Sequence, residues 1–204
     1  MGRVSDAKKR LMDAVLELIW TGSYGSTTID HICDKAGVKK GSFYYFFDSK
    51  ADLATAALDA DWEVRRAQLD STFSPTIPPL ERLRNFCEIP YKKQAELKRR
   101  YGSVLGCPLV ALGCEVCTQE QKLRSKIQEI MALYQKYLES LIRDAHAAGL
   151  IQAADPAEKA RMIWAYHEGL MTQARIQNDV EVLRELPRGV FAMLGVKEND
   201  VVTA

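Results

Sequence analysis

The chain has 204 residues, 47% hydrophobic and 27% charged, with a formal net charge of +1, so it can bury a real core but shows no global basicity. No apolar run approaches the roughly 18 residues of a membrane span, and the N-terminus lacks an apolar signal core. Five cysteines without a framework spacing favour reduced thiols, so a cytoplasmic location is expected.

A first helix is predicted from a cap at Ser5 through Leu11, Ala14, Val15, Leu18 and Ile19, an apolar stripe at 3.6 spacing. Lys8, Lys9 and Arg10 lie near its start, where the helix dipole disfavours cations. They have two readings, a partner for an external anion or an ordinary solvated face. Two glycines in residues 21–26 end this helix. Thr28 then caps a second helix with Ile29, Ile32, Cys33 and Ala36 at helical spacing, and Gly37 stops it by tolerating a left-handed turn. A third short helix carries Lys39, Lys40, Gly41, Ser42, Tyr44 and Tyr45 at its start and along one side, with Phe43 and Phe47 turned inward. A short helix, a glycine turn and a basic, aromatic second helix have the layout of a helix-turn-helix whose recognition helix comes second.

Asp48 or Ser49 can cap the next helix, in which Leu53, Ala57, Ala60 and Val64 keep the period to about Phe73. The proline-rich residues 74–79 form an interhelical corner. A helix from Pro79 to Ala95 is predicted to kink at Pro90, with a separate basic piece from Glu96 to Val104. Cys107-Pro108 opens a helix reaching about Cys117. Glu120 to Ala148 carries an apolar seam and is terminated by Gly149. Asp155-Pro156, a cap followed by proline, opens a helix to about Asn178. A last helix runs from Glu181 to Leu194, and Lys197 to Ala204 reads as a frayed end. No segment has strand period, so the fold class is all-α.

Thr28 can present its hydroxyl to a phosphate as well as cap its helix. Tyr44 carries a phenol that can reach a phosphate. Lys39, Lys40, Ser42 and Tyr45 are candidates for base edges, and Gly41 permits close approach to DNA. Cys107, beside proline at a helix start, sits where the dipole favours a reactive thiolate, and Cys114 follows two turns later. The competing reading makes both small buried hydrophobes. Cys114-Glu-Val-Cys117 has a CxxC spacing, but no second pair completes a zinc site, and no metal or cofactor is expected. Tyr101, Trp164 and His167 are aromatics that can line a ligand cavity or simply fill the core. An enzyme with Cys107 as nucleophile and His167 as base, or a helical scaffold without DNA binding, are the alternatives.

Residues 37–53, Gly-Val-Lys-Lys-Gly-Ser-Phe-Tyr-Tyr-Phe-Phe-Asp-Ser-Lys-Ala-Asp-Leu, closely resemble the motif of the TetR/AcrR family of transcriptional regulators. Tyr45-Phe46 and Lys39 depart from the family's usual residues and bear on which bases are read. The resemblance implies a helix-turn-helix DNA-binding domain at residues 1–48 and a helical ligand-binding and dimerisation domain at 49–204. It implies a homodimer on a pseudo-palindromic double-stranded operator and a small-molecule effector, with repression by family habit; the place of Cys107 adds a thiol-reactive effector as an expectation, and neither catalysis nor a membrane partner is expected. It also makes Lys50 a phosphate contact. The two long helices Glu120–Ala148 and Asp155–Asn178 are the expected dimer face.

Overall fold

The computed structural model describes residues 2–116 and 118–196, side chains from residue 6 onward, and every regular element in them is helical. The expectations for Cys117 and the Lys197–Ala204 tail lie outside the described residues. In order the helices are α1 (Gly2–Thr21), α2 (Ile29–Ala36), α3 (Lys40–Phe46), α4 (Lys50–Thr72), α5 (Pro79–Tyr101), α6 (Pro108–Val116), α7 (Gln121–Ala147) and α8 (Pro156–Gln177). A 3₁₀ turn, Val180–Arg184, leads into α9 (Glu185–Leu194). The chain divides into two compact units: Met1–Arg65 with Pro108–Ile130, and Arg66–Cys107 with Met131–Ala204. The helix-turn-helix region thus shares a unit with α6 and the start of α7.

In the first unit α1 packs on α2, α3 and α6. Leu11, Val15, Ile32, Phe43, Leu53, Leu112 and Leu123 are fully buried, as the 3.6 spacing of each helix requires. α1 starts at Gly2, so Ser5 lies inside the helix rather than at its cap. On α4 the buried set is Leu53, Ala54, Ala57, Leu58 and Trp62, while Ala60 and Val64 are exposed. The expected stripe through Ala60 and Val64 is corrected. The larger Leu58 and Trp62 bury more apolar area than Ala60, so they set the inward phase.

The second unit has one core, built from Leu83, Phe86 and Cys87 of α5, Leu138, Leu141 and Ile142 of α7, Ile163 and Trp164 of α8, and Val190 and Phe191 of α9. The pieces expected at Pro79–Ala95 and Glu96–Val104 are a single helix, α5, which ends at left-handed Gly102. Pro90 is buried inside it. The expected Glu181–Leu194 helix is instead a 3₁₀ turn followed by α9. Pro187 has no N–H to give to residue 183, so it fits only in the first turn of a helix restarted at Glu185. Asp155 caps α8 by accepting from Glu158 N at 3.0 Å, as its place before Pro156 predicts.

Candidate nucleic-acid interface and effector residues

The turn between α2 and α3 is built from local rules. Thr28 Oγ1 accepts from His31 N at 3.1 Å, satisfying one of the amides left open at the start of α2. Gly37 takes φ 62°, and the Gly37 and Val38 amides close back on Asp34 O and Cys33 O. Arg10 Nη1 adds a further donor, reaching Ala36 O at 2.8 Å, so α1 holds the end of α2.

α3 then has two unlike sides. Phe43 and Phe47 are buried, whereas Tyr44 is 55% and Tyr45 75% exposed. Lys39, Lys40 and Gly41 are exposed and Ser42 half-buried, and a Cβ placed on Gly41 would meet nothing within 4 Å. Two large rings standing in solvent between lysines are unusual for a core-packing helix. Lys40 pairs with Asp30 at 2.8 Å, and that hydrogen bond holds its ammonium above the usual lysine range. Such an exposed pair is worth little and exchanges readily for another anion. The lysines on α1 are less available. Lys9 pairs with Asp13 at 2.7 Å, and Lys8 lies 5.7 Å from the Phe47 ring centre.

Lys50 is used internally. Its Nζ donates to Tyr24 O at 2.6 Å and Thr27 O at 2.8 Å and lies 4.0 Å from the centre of the Tyr24 ring. Burial pushes its ammonium below the usual lysine range, against the opposing pull of Glu115 and Glu120. The loop that Lys50 grips is also held from α6. Glu115 accepts from Tyr24 N at 2.8 Å and Gly25 N at 2.6 Å, and the Tyr24 hydroxyl donates to Glu120 at 3.3 Å. Lys122 pairs with Asp52, and Lys126 with Asp59 at 2.8 Å. One acid on α6 and several charges at the start of α7 therefore fasten both ends of the helix-turn-helix.

The effector candidates fall into separate places. Trp164 and His167 come together: their rings stack at 5.4 Å, with Tyr134 stacked on Trp164 at 5.2 Å and Phe86 against His167 at 5.3 Å. Tyr101, at the end of α5, is half-buried beneath Arg100, whose guanidinium lies 4.9 Å from its ring centre. Cys107 is half-buried against the core of the second unit, whereas Cys114 is exposed on α6 in the first. The loop that delivers Cys107 is fixed by buried Gln94, which accepts from Leu105 N at 3.0 Å and Gly106 N at 2.9 Å and donates to Gly106 O at 3.1 Å. Asn178 Oδ1 adds a further tie, accepting from Val104 N at 2.9 Å.

Residues 11–57 match the family model of bacterial regulatory proteins of the tetR family, and residues 79–190 match that of the tetracyclin repressor-like C-terminal domain. The chain belongs to the TetR family. It is 30% identical to the transcriptional regulator AcuR of Cereibacter sphaeroides, across 89% of this chain and 82% of that one. It is 24% identical to the transcriptional repressor NemR of Escherichia coli, across 87% and 88% of the two chains. A crystal structure of the regulatory protein TetR from Rhodobacter sphaeroides superposes with a TM-score of 0.80 at 29% identity, covering 92% of this chain and 98% of that one. The reduced form of E. coli NemR has the same fold, with a TM-score of 0.82 at 20% identity over 95% and 99%.

This TetR-family chain is therefore a DNA-binding transcriptional regulator, and none of its described helices is long and apolar enough to cross a membrane. Three residues that stand out in the structure are invisible to motif reading. Glu115 and Gln94 act on backbone groups 90 and 11 residues away and carry no periodic signal. Glu168, buried on α8 beside His167, breaks the rule that acids on long helices face water. Its adjacency to His167 was the only available hint.

Proposed function

We propose that the chain is a homodimeric repressor in which each protomer presents α3 to one half of a pseudo-palindromic operator. Lys39, Lys40, Ser42 and Tyr45 meet base edges, Thr28 and Tyr44 meet phosphates, and Gly41 lets the helix approach closely. Lys50 contributes by holding the loop ahead of α2 in place rather than by adding a phosphate bond. The observation that carries this reading is the exposure of both tyrosines on α3, with lysines beside them and phenylalanines beneath. Two α3 helices must sit about 34–36 Å apart to enter successive major grooves. α7 and α8 are the proposed dimer helices, and the exposed Met162 and Ile176 on α8 support that face.

An effector that favours a different spacing of the two α3 helices releases the operator. Tyr101, Trp164 and His167 serve a small molecule, and Cys107 and Cys114 a thiol-reactive one. E. coli NemR, a relative, has a crystal structure described as its reduced form. The test is a gel shift with DNA upstream of the chain's own gene. Wild type shifts the probe, Tyr45→Ala and Lys39→Ala weaken it, and treatment with an alkylating agent releases wild type but not Cys107→Ser. No shift at any salt concentration refutes DNA binding. Equal release of Cys107→Ser refutes Cys107 as the sensor, and equal release of the Cys107→Ser, Cys114→Ser double variant refutes the thiol route.

A further inference from the structure

On α8, Trp164, His167 and Glu168 lie within one turn of one another on a buried face. Trp164 Nε1, His167 Nδ1 and both carboxylate oxygens of Glu168 are buried without a hydrogen-bond partner. His167 Nδ1 stands 3.3 Å from Glu168 Oε1, close enough to feel its charge but without a hydrogen bond. The other buried charge of this unit, Arg82, is committed to Asp144 at 2.8 Å. His167, beside this acid, belongs to a run of packed rings that continues through Trp164 to Tyr134 and on its other side meets Phe86. A buried carboxylate left with no donor is among the most costly groups a core can hold.

We infer that Trp164, His167 and Glu168 form the effector site, and that it takes an organic cation carrying at least two N–H donors on a flat or compact frame. Three observations set this chemistry. A carboxylate with both oxygens open asks for a positive, donating group, and a forked amidinium or guanidinium satisfies both at once. The aromatic rings of Trp164 and His167, on the same helical turn as Glu168, attract a cation and offer a flat partner for stacking. The lone Trp164 N–H asks in addition for one acceptor on the ligand. An anionic ligand would meet Glu168 with like charge inside a poorly screened interior. None of the four open polar atoms reaches solvent, so the ligand enters by parting Phe86 of α5 from His167 of α8. Binding then favours a state in which these helices are separated, which is the differential affinity an effector needs. The inference rests on the proposal that the effector binds among the C-terminal helices.

Isothermal titration of the full chain at millimolar probe tests it. The probes are benzamidinium, trimethylphenylammonium (a cation without N–H) and benzoate. Benzamidinium is expected to bind about tenfold or more tighter than trimethylphenylammonium, with benzoate silent. Glu168→Gln is expected to weaken benzamidinium about tenfold while melting no lower than wild type, because the orphaned charge is gone. No heat from benzamidinium, benzoate binding as tightly, or equal affinity in Glu168→Gln overturns the inference. The order of the three probes on wild type decides the matter even if the variant does not fold. The gel shift is scored separately, so intact operator binding with no cation binding refutes only this site, and loss of operator binding refutes only the regulatory reading.

Discussion

Replacing Lys50 by methionine separates two roles that a lysine in this position can play. The variant keeps the aliphatic stem and removes the ammonium that bridges Tyr24 O and Thr27 O at 2.6 and 2.8 Å. Hydrogen bonds to a charged group are worth about 1.5–3 kcal/mol each when measured by truncation. The site is only half-buried, and burial itself already works against the ammonium, so the two bonds together are discounted to a loss of about 2 kcal/mol. For a chain of this size that lowers the melting temperature by about 4–8 °C. Operator affinity falls too, because the loop ahead of α2 loosens, but no phosphate contact is lost. The slope of log affinity against log salt should therefore stay at the wild-type value. Lys39→Met, at an exposed lysine without an ion pair among the described residues and proposed to meet base edges, should leave the melt unchanged and relax discrimination between operator sequences. Thermal melts by circular dichroism and binding titrations at four salt concentrations give both quantities. If Lys50→Met instead lowers the slope by about 0.9 per protomer and melts like wild type, Lys50 is a phosphate contact and the internal tie is not what it contributes.

Other expectations are as direct. Gln94→Leu strands the buried amides of Leu105 and Gly106 and the carbonyl of Gly106, and should cost about 2–4 kcal/mol in urea unfolding; a loss under about 1 kcal/mol would mean water replaces the side chain. Asp144→Asn removes the charge facing buried Arg82 and should cost about 2–4 kcal/mol, whereas an unchanged denaturation midpoint would show that the Phe73 carbonyl alone suffices. Burial pushes the Cys87 thiol up to about 12, so exposed Cys114 should be alkylated at pH 8 while Cys87 stays unlabelled by mass spectrometry. Because the unfolded thiol ionises near 9.0 and the folded one does not, the contribution of Cys87 to stability is whole below that pH and is lost as pH rises toward 12. A Cys87→Ala variant should flatten that part of the stability curve.

The local grammar of the helix-turn-helix was legible because it is written within a few residues. Thr28 bonds three residues ahead, Gly37 closes on Cys33 and Asp34, and Phe43 and Phe47 share a face by spacing alone. α4 misled because Ala60 and Val64 fit the same helical period as Leu58 and Trp62 in a different phase, and only packing chooses between them. Lys50 was readable as a cation beside a turn, but its bonds reach back 26 and 23 residues to carbonyls that any sequence provides. Glu168 is hidden for a similar reason, since nothing nearby in the chain says that an acid on α8 will be buried. For the proposed effector site, residue type points to Trp164 and His167 as candidates, and tertiary packing adds Tyr134 and Phe86 beside them.

The grip of Glu115 on Tyr24 and Gly25 bears on how this regulator could be recombined with others. Cutting the chain after the recognition helix, or after Arg65 where the first segment of its unit ends, would leave behind Glu115, Glu120, Lys122 and Lys126. Those side chains hold Tyr24, Gly25, Asp52 and Asp59, so a transplanted reading head would arrive with its loop unclasped. A chimera built to redirect this regulator to a new operator keeps its footing when residues 108–130 travel with the head. The interchangeable part is discontinuous in the gene although continuous in space.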